Sequence, residues 1–328
     1  MPIGSVSISE IGELVTTSLR SRTGELVDNA SKNNAVLNAM KKRGRIKPWR
    51  GGRTITQELH YSGNTTYKRY RGYDTLNITP QEVIGSYDYD PKFVMVSATI
   101  SGEEMLINYG EAQIVDLMES RVENAMAEMA NGLDADLVSD GTADGGKQIG
   151  GLQLLVSSNP TTGTVGGANR ATYSFARNQR YQALTTGGAV KSTANIRLYM
   201  DRLWLQTLRG NDAPDVILMD NNDFSFFEDS LQGIQRITQA SEGDMGFSSY
   251  KYKGVNVYPN GQGGNIPANT TYFLNTKYLF LRPHEDRNME VIGEPRTPVN
   301  QDASISLIGF AGNVTCSNFQ LQGILTNT

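Results

Sequence analysis

The chain has 328 residues, 38% of them hydrophobic and 20% charged, with a net charge of −4. That is the make-up of a globular protein long enough for a substantial core and more than one structural unit. Its negative balance excludes a chain-wide basic footprint for nucleic acid. A single cysteine, Cys316, excludes an internal disulfide framework and a multi-cysteine zinc site, and two histidines, His60 and His284, leave little for metal or acid–base chemistry.

The opening "MPIGSVSISEIGELVTTSL" lacks the basic start and apolar run of a secretory signal. No stretch approaches the ~20 apolar residues of a membrane-spanning helix. Residues 7–40 place Ile11, Leu14, Val15 and Leu19, then Val36, Leu37 and Met40, at helical spacing. The stretch is too polar for a core of its own and is expected to be an arm lying on another surface. "KKRGRIKPWRGGR", residues 41–53, holds seven basic residues and no acid, and Pro48 and Gly51-Gly52 break regular structure. It is a solvated connector or a contact for a partner or nucleic acid; only Trp49 interleaves its charges, which disfavours nucleic acid.

Residues 54–73 are expected to form a hairpin: "TITQELHY" sets Ile55, Leu59 and Tyr61 at even spacing, "SGN" turns, and "TTYKRYRGY" follows. An isolated two-stranded ribbon is marginal in water, so this one should rest on another surface. "FVMVSATI" (93–100) is a β-branched strand, after which Ser101 is a fair N-cap with Glu103 and Glu104 in the first turn. Beyond Gly110 a helix is predicted from Glu111 to Leu137, about 40 Å long at ~1.5 Å per residue. It would span most of a compact globule about 50 Å across and points to an elongated subunit. Ile114, Met118, Val122, Met126, Met129 and Leu133 form one stripe, and Asp116, Glu123 and Asp134 fall opposite.

"SDGTADGGKQIGG" is a glycine-rich loop. A helix in "STANIRLYMDRLWLQTLRG", capped by Ser192 or Thr193 and ended by Gly210, turns Ile196, Met200, Leu203 and Trp204 one way. "PDVILMD" is a buried strand, and "NNDFSFFEDSLQGI" starts a helix with Phe224, Phe227, Leu231 and Ile234 on one stripe. This alternation implies a mixed α/β unit over roughly 150–270. The tail, 271–328, is β-rich.

Tests for chemistry fail. Gly141–Lys147 matches the GxxxxGK phosphate-loop spacing, but Gln148 stands where Ser or Thr should meet magnesium, and the loop follows a helix rather than a strand. Ten carboxylates lie in 101–140 with Arg121 the only base, yet no Glu-x-x-His pair accompanies them. A hydrolase site built on Glu119 and Glu123 is the weakest alternative. Cys316 sits in a strand pattern as a small core residue. No catalytic residue, cofactor or metal is assigned, and the chain is expected not to be an enzyme. What does stand out is charge: +7 over 41–53 against −9 over 101–140 (one base minus ten acids). Such blocks can pair within a chain or between copies, steering association more than supplying affinity.

An arm, a hairpin, a long helix, an α/β unit and a β-rich tail, in that order, resemble the major capsid protein of tailed bacteriophages, whose coat fold is shared with encapsulins. The resemblance covers essentially the whole chain. It is carried by "NAVLNAMKKRGRIKPWRGGRTI", by "SDGTADGGKQIGGLQLLVSSNPTTGTVGGANRATYSFARN", and by "YKYKGVNVYP" and "TYFLNTKYLFLRPH". It implies an α+β fold with an N-terminal arm (1–50) and an extended β-hairpin loop (51–84). A peripheral domain with a spine helix (85–149), an axial domain (150–270) and peripheral return strands (271–328) follow. It also implies self-assembly into pentamers and hexamers of an icosahedral shell that encloses double-stranded DNA without sequence-specific contact. An encapsulin-like protein nanocompartment is the alternative.

The implied partners are other copies, a scaffold (only about 50 residues precede the hairpin, so it is expected to be either a separate protein or part of a precursor cleaved before Met1), a portal and a decoration protein, with no membrane. The implied location is the virion capsid, after synthesis in the bacterial host cytoplasm. Candidate interface residues are Lys41, Lys42, Arg43, Arg45, Lys47, Tyr67, Lys68, Tyr70, Glu119 and Glu123.

Overall fold

The computed structural model describes residues 35–63, 65–107, 111–231, 250–259, 265–293 and 295–328. The arm positions Ile11, Leu14, Val15 and Leu19, as well as Ile234, lie outside the described residues. So do the side chains of 105–120, which include Ile114, Asp116, Met118 and Glu119.

Two sheets organise the chain. Strands β3 (Lys92–Ser101), β11 (Leu279–Val291) and β12 (Ala303–Cys316) form an antiparallel sheet with β12 in the centre. Helix α1 is Ala35–Lys42, α2 is Gly102–Ile107 and α3 is Glu111–Val138. The predicted stripe of α3 is its buried side: Val122, Met126, Met129 and Leu133 join Ala98, Ile100, Ile308 and Phe310 in one cluster. Ser101 opens α2 as a capping box, its Oγ accepting from Glu104 N (3.2 Å) while its own N donates to Glu104 Oε2 (3.1 Å).

The second sheet has six strands in the order β6 (Gln179–Gln182), β13 (Gly323–Thr326), β10 (Thr270–Leu274), β7 (Val216–Met219), β9 (Val255–Pro259) and β8 (Tyr250–Tyr252). The β7–β9 and β6–β13 pairs are parallel. Helices α5 (Ile196–Thr207) and α6 (Asn221–Ser230) cover one face, where Met200, Leu203 and Phe227 meet Ile217, Met219, Phe273 and Leu325. The alternate residues Val216, Leu218, Tyr272, Leu274 and Ile324 belong instead to the cluster that holds α3. A strand buried on both faces has no polar side, which is why "VILM" shows no alternation.

Three expectations are corrected. The partner of β1 (Ile55–His60) is β2 (Ile84–Tyr89), with Ile55 opposite Tyr89 and His60 opposite Ile84, and not the stretch 65–73. Tyr87 and Tyr89 of β2 are buried, with Tyr87 stacking edge-on to Phe319, whereas Tyr67, Tyr70 and Tyr73 are exposed. The tail is not one return segment: β10 and β13 join the six-stranded sheet, and only β11 and β12 pair with β3. Helix α5 begins at Ile196, after Asn195, because the Asn195 side chain accepts from Ser192 N (2.7 Å) and folds the chain before the helix.

Candidate functional site

The basic segment is built onto the sheet. After α1, whose Val36, Leu37 and Met40 are buried, Gly44 at φ +63° reverses the chain and Arg45 N returns to Met40 O (2.8 Å). Residues 45–49 then run parallel to β11. Lys47 N donates to Leu281 O (2.9 Å) and Trp49 N to Pro283 O (2.7 Å), while Leu281 N and Glu285 N donate to Arg45 O and Trp49 O. Every bond falls on 45, 47 or 49, so Pro48, which has no N–H, interrupts nothing. What looked like a broken connector is an added edge strand.

Its cations find local partners. Arg43 Nε is 3.0 Å from Asp215 Oδ2, and Arg50 Nε is 2.8 Å from Glu285 Oε2. The Arg45 guanidinium and the Lys47 ammonium lie 5.2 Å and 5.4 Å from the Phe280 ring centroid. Trp49 meets the His284 ring edge-on at 5.0 Å. Within the chain, then, Arg43 is held by Asp215. Lys41 and Lys42 are exposed at the end of α1.

Residues 61–83 project between β1 and β2 and fold on themselves. Lys68 Nζ donates to Thr75 O (3.0 Å), Arg71 N to Asp74 Oδ2 (3.0 Å) and Thr65 N to Gln81 Oε1 (3.0 Å). Tyr67, Tyr70, Tyr73 and Ile78 are 81%, 65%, 108% and 89% exposed.

Among the described residues, the α3 carboxylates form no cluster that could hold a metal ion. Glu123 and Glu128 are exposed, while Arg121 is bound to Glu104 and to Thr99 O. The Arg121 and Ser101 hydrogen bonds hold the Glu104 carboxyl below its ordinary range. Burial raises Asp136, against the hydrogen bond from Gln148 (2.8 Å). The glycine loop is a folding device. Gly151 passes so close to the end of α3 that a Cβ would sit 2.3 Å from Asp136 O, and Ser139 Oγ donates to Ile149 O (2.8 Å).

Three buried polar groups had no signal in the sequence, because no local spacing pattern marks their partners. Lys191 and Asp223 form a fully buried pair, with Thr271 Oγ1 donating to Asp223 Oδ2 (2.7 Å) and Lys191 Nζ to Asn269 O (2.7 Å). Arg170 is buried without a carboxylate and donates to Leu154 O, Leu155 O and Ala176 O. Asn313 accepts from Gly150 N (3.1 Å) and donates to Asp90 O (2.8 Å). Cys316 is buried beside Tyr89, and burial pushes its thiol up to about 12.

No family model and no curated protein matches the sequence. Solved structures do match in shape. The capsid asymmetric unit of cyanophage A-1(L) aligns at TM-score 0.64 and 16% identity, over 87% of this chain and 90% of that one. The capsid of an empty GTA particle aligns at 0.54 and 10%, over 87% and 94%. The holo-SrpI encapsulin complex of Synechococcus elongatus PCC 7942 aligns at 0.52 and 10%, over 87% and 85%. The chain therefore has the α+β coat fold that phage capsids share with an encapsulin.

Proposed function

We propose that this chain is the shell subunit of a tailed-phage capsid, assembling with its own copies into pentamers and hexamers of an icosahedral shell around double-stranded DNA. The observation that carries the reading is the match to the cyanophage capsid subunit across nearly the full length of both chains. The loop 61–83 supports it, since its uncovered tyrosines need a surface that one copy does not provide. In this reading the three-stranded sheet with α3 is the peripheral domain and the six-stranded sheet the axial domain. A separate scaffolding protein, a portal and a decoration protein complete the particle, and the subunit performs no catalysis. The encapsulin match favours a second reading, a cellular compartment shell.

Electron microscopy of the expressed chain, alone and with the products of neighbouring genes, tests both. Shells, tubes or capsomers support the class; a chain that stays monomeric under every condition overturns it. Nuclease-protected double-stranded DNA inside the particles marks a capsid, and a co-purifying protein cargo marks a compartment.

A further inference from the structure

Two cations lie over one ring, and a third stands on the same sheet face. Arg45 and Lys47 lie over Phe280, and Arg282, two residues along β11, emerges on the same face of the sheet. The Nε atoms of Arg45 and Arg282 are buried and bonded to nothing, and Arg282 Nη2 makes only a long contact to Thr56 O (3.4 Å). Among the described residues, no carboxylate is within ion-pair distance of any of the three. Asp215 and Glu285 are held by Arg43 and Arg50. A chain of net charge −4 thus keeps a cluster of like charges with no counter-charge.

We propose that Arg45 and Lys47, over Phe280, and Arg282, on the same face of the sheet, bind carboxylates of an acidic segment of a second copy of this chain. The inference rests on the shell reading above and adds where and by what chemistry two copies meet. The chain supplies the complement, since 101–140 carries ten carboxylates and one base. A duplex would need a track of cations following its backbone, with affinity growing with each phosphate neutralised. Arg43 and Arg50 are already paired, and the three cations that share the Phe280 face make a short cluster sized for one or two carboxylates. The two arginines supply planar forks that take a carboxylate in two parallel hydrogen bonds, and Lys47 adds a point charge.

The test is carbodiimide coupling of assembled particles made from mixed isotopically labelled and unlabelled copies, followed by peptide mass spectrometry. The expected product is an amide between Lys47 and an Asp or Glu of the other isotope. Lys47→Arg, which keeps the charge but has no amine for carbodiimide coupling, should lose that product. Arg45→Gln with Arg282→Gln should raise the concentration needed for assembly about tenfold, with the unfolding midpoint of the unassembled chain unchanged. Particles in which Lys47 stays unlinked, or links only to its own Glu285, overturn the inference and leave the shell reading intact. So does a Lys47→Gln, Arg45→Gln, Arg282→Gln variant that forms normal particles but no longer retains DNA, since the site would then serve nucleic acid. A wild-type chain that never assembles defeats both.

Discussion

Arg43, from the basic segment, and Asp215, at the start of β7, are joined at 3.0 Å, which ties the strand added to β11 to the six-stranded sheet. Asp215 is the better buried partner and also accepts from Thr276 N (2.7 Å) and from Thr276 Oγ1. Arg43→Ala should therefore cost only about 0.5 kcal/mol, the worth of a half-exposed pair. Asp215→Ala should cost about 2 kcal/mol, because a backbone N–H loses its acceptor as well. Urea unfolding of both variants checks the ratio.

Lys191 and Asp223 should behave as a buried pair. Lys191→Ala strands a carboxylate with no solvent access and should cost about 3–5 kcal/mol. Lys191→Met with Asp223→Leu removes both charges and should cost markedly less than Lys191→Ala alone. A double-mutant cycle by chemical denaturation measures the difference.

Glu104 gives a pH dependence of known sign. Its folded pKa is lowered from 4.5 by the Arg121 hydrogen bond and the Ser101 cap. The stability it contributes is fully present above 4.5 and is lost as pH falls through the lower folded value. Arg121→Ala should flatten that part of the acid unfolding curve followed by circular dichroism.

Two glycines separate space from strain. Gly151→Ala would drive a Cβ into the Asp136 carbonyl and the Leu137 backbone, which cannot give way cheaply, so the loss should exceed 2 kcal/mol, roughly the worth of an overpacked core site. Gly145 has open space but φ +69°, so Gly145→Ala should cost only about 1 kcal/mol. Thermal unfolding of the pair distinguishes them.

The loop tyrosines should matter for assembly and not for folding. Tyr67→Ser, Tyr70→Ser and Tyr73→Ser together remove side chains that touch little of their own chain, so stability should stay within about 0.5 kcal/mol. Particle yield by sedimentation should fall sharply if a second copy covers them.

Local pattern sufficed where period and burial coincide. The Val122–Leu133 stripe, the Ser101 cap and the β-branched run of β3 were legible because each is fixed by residues within a few positions of one another. The opposite charge blocks were legible too, but composition does not say which charge meets which. Only the tertiary structure sent Arg43 to Asp215, left Arg45 and Lys47 over Phe280, and laid "RIKPW" along β11. It also chose β2 over residues 65–73 as the partner of β1 and divided the tail between two sheets. Strand pairing is decided by which side chains find a buried surface, and Tyr87 and Tyr89 find theirs on Phe319 and Cys316, more than two hundred residues away.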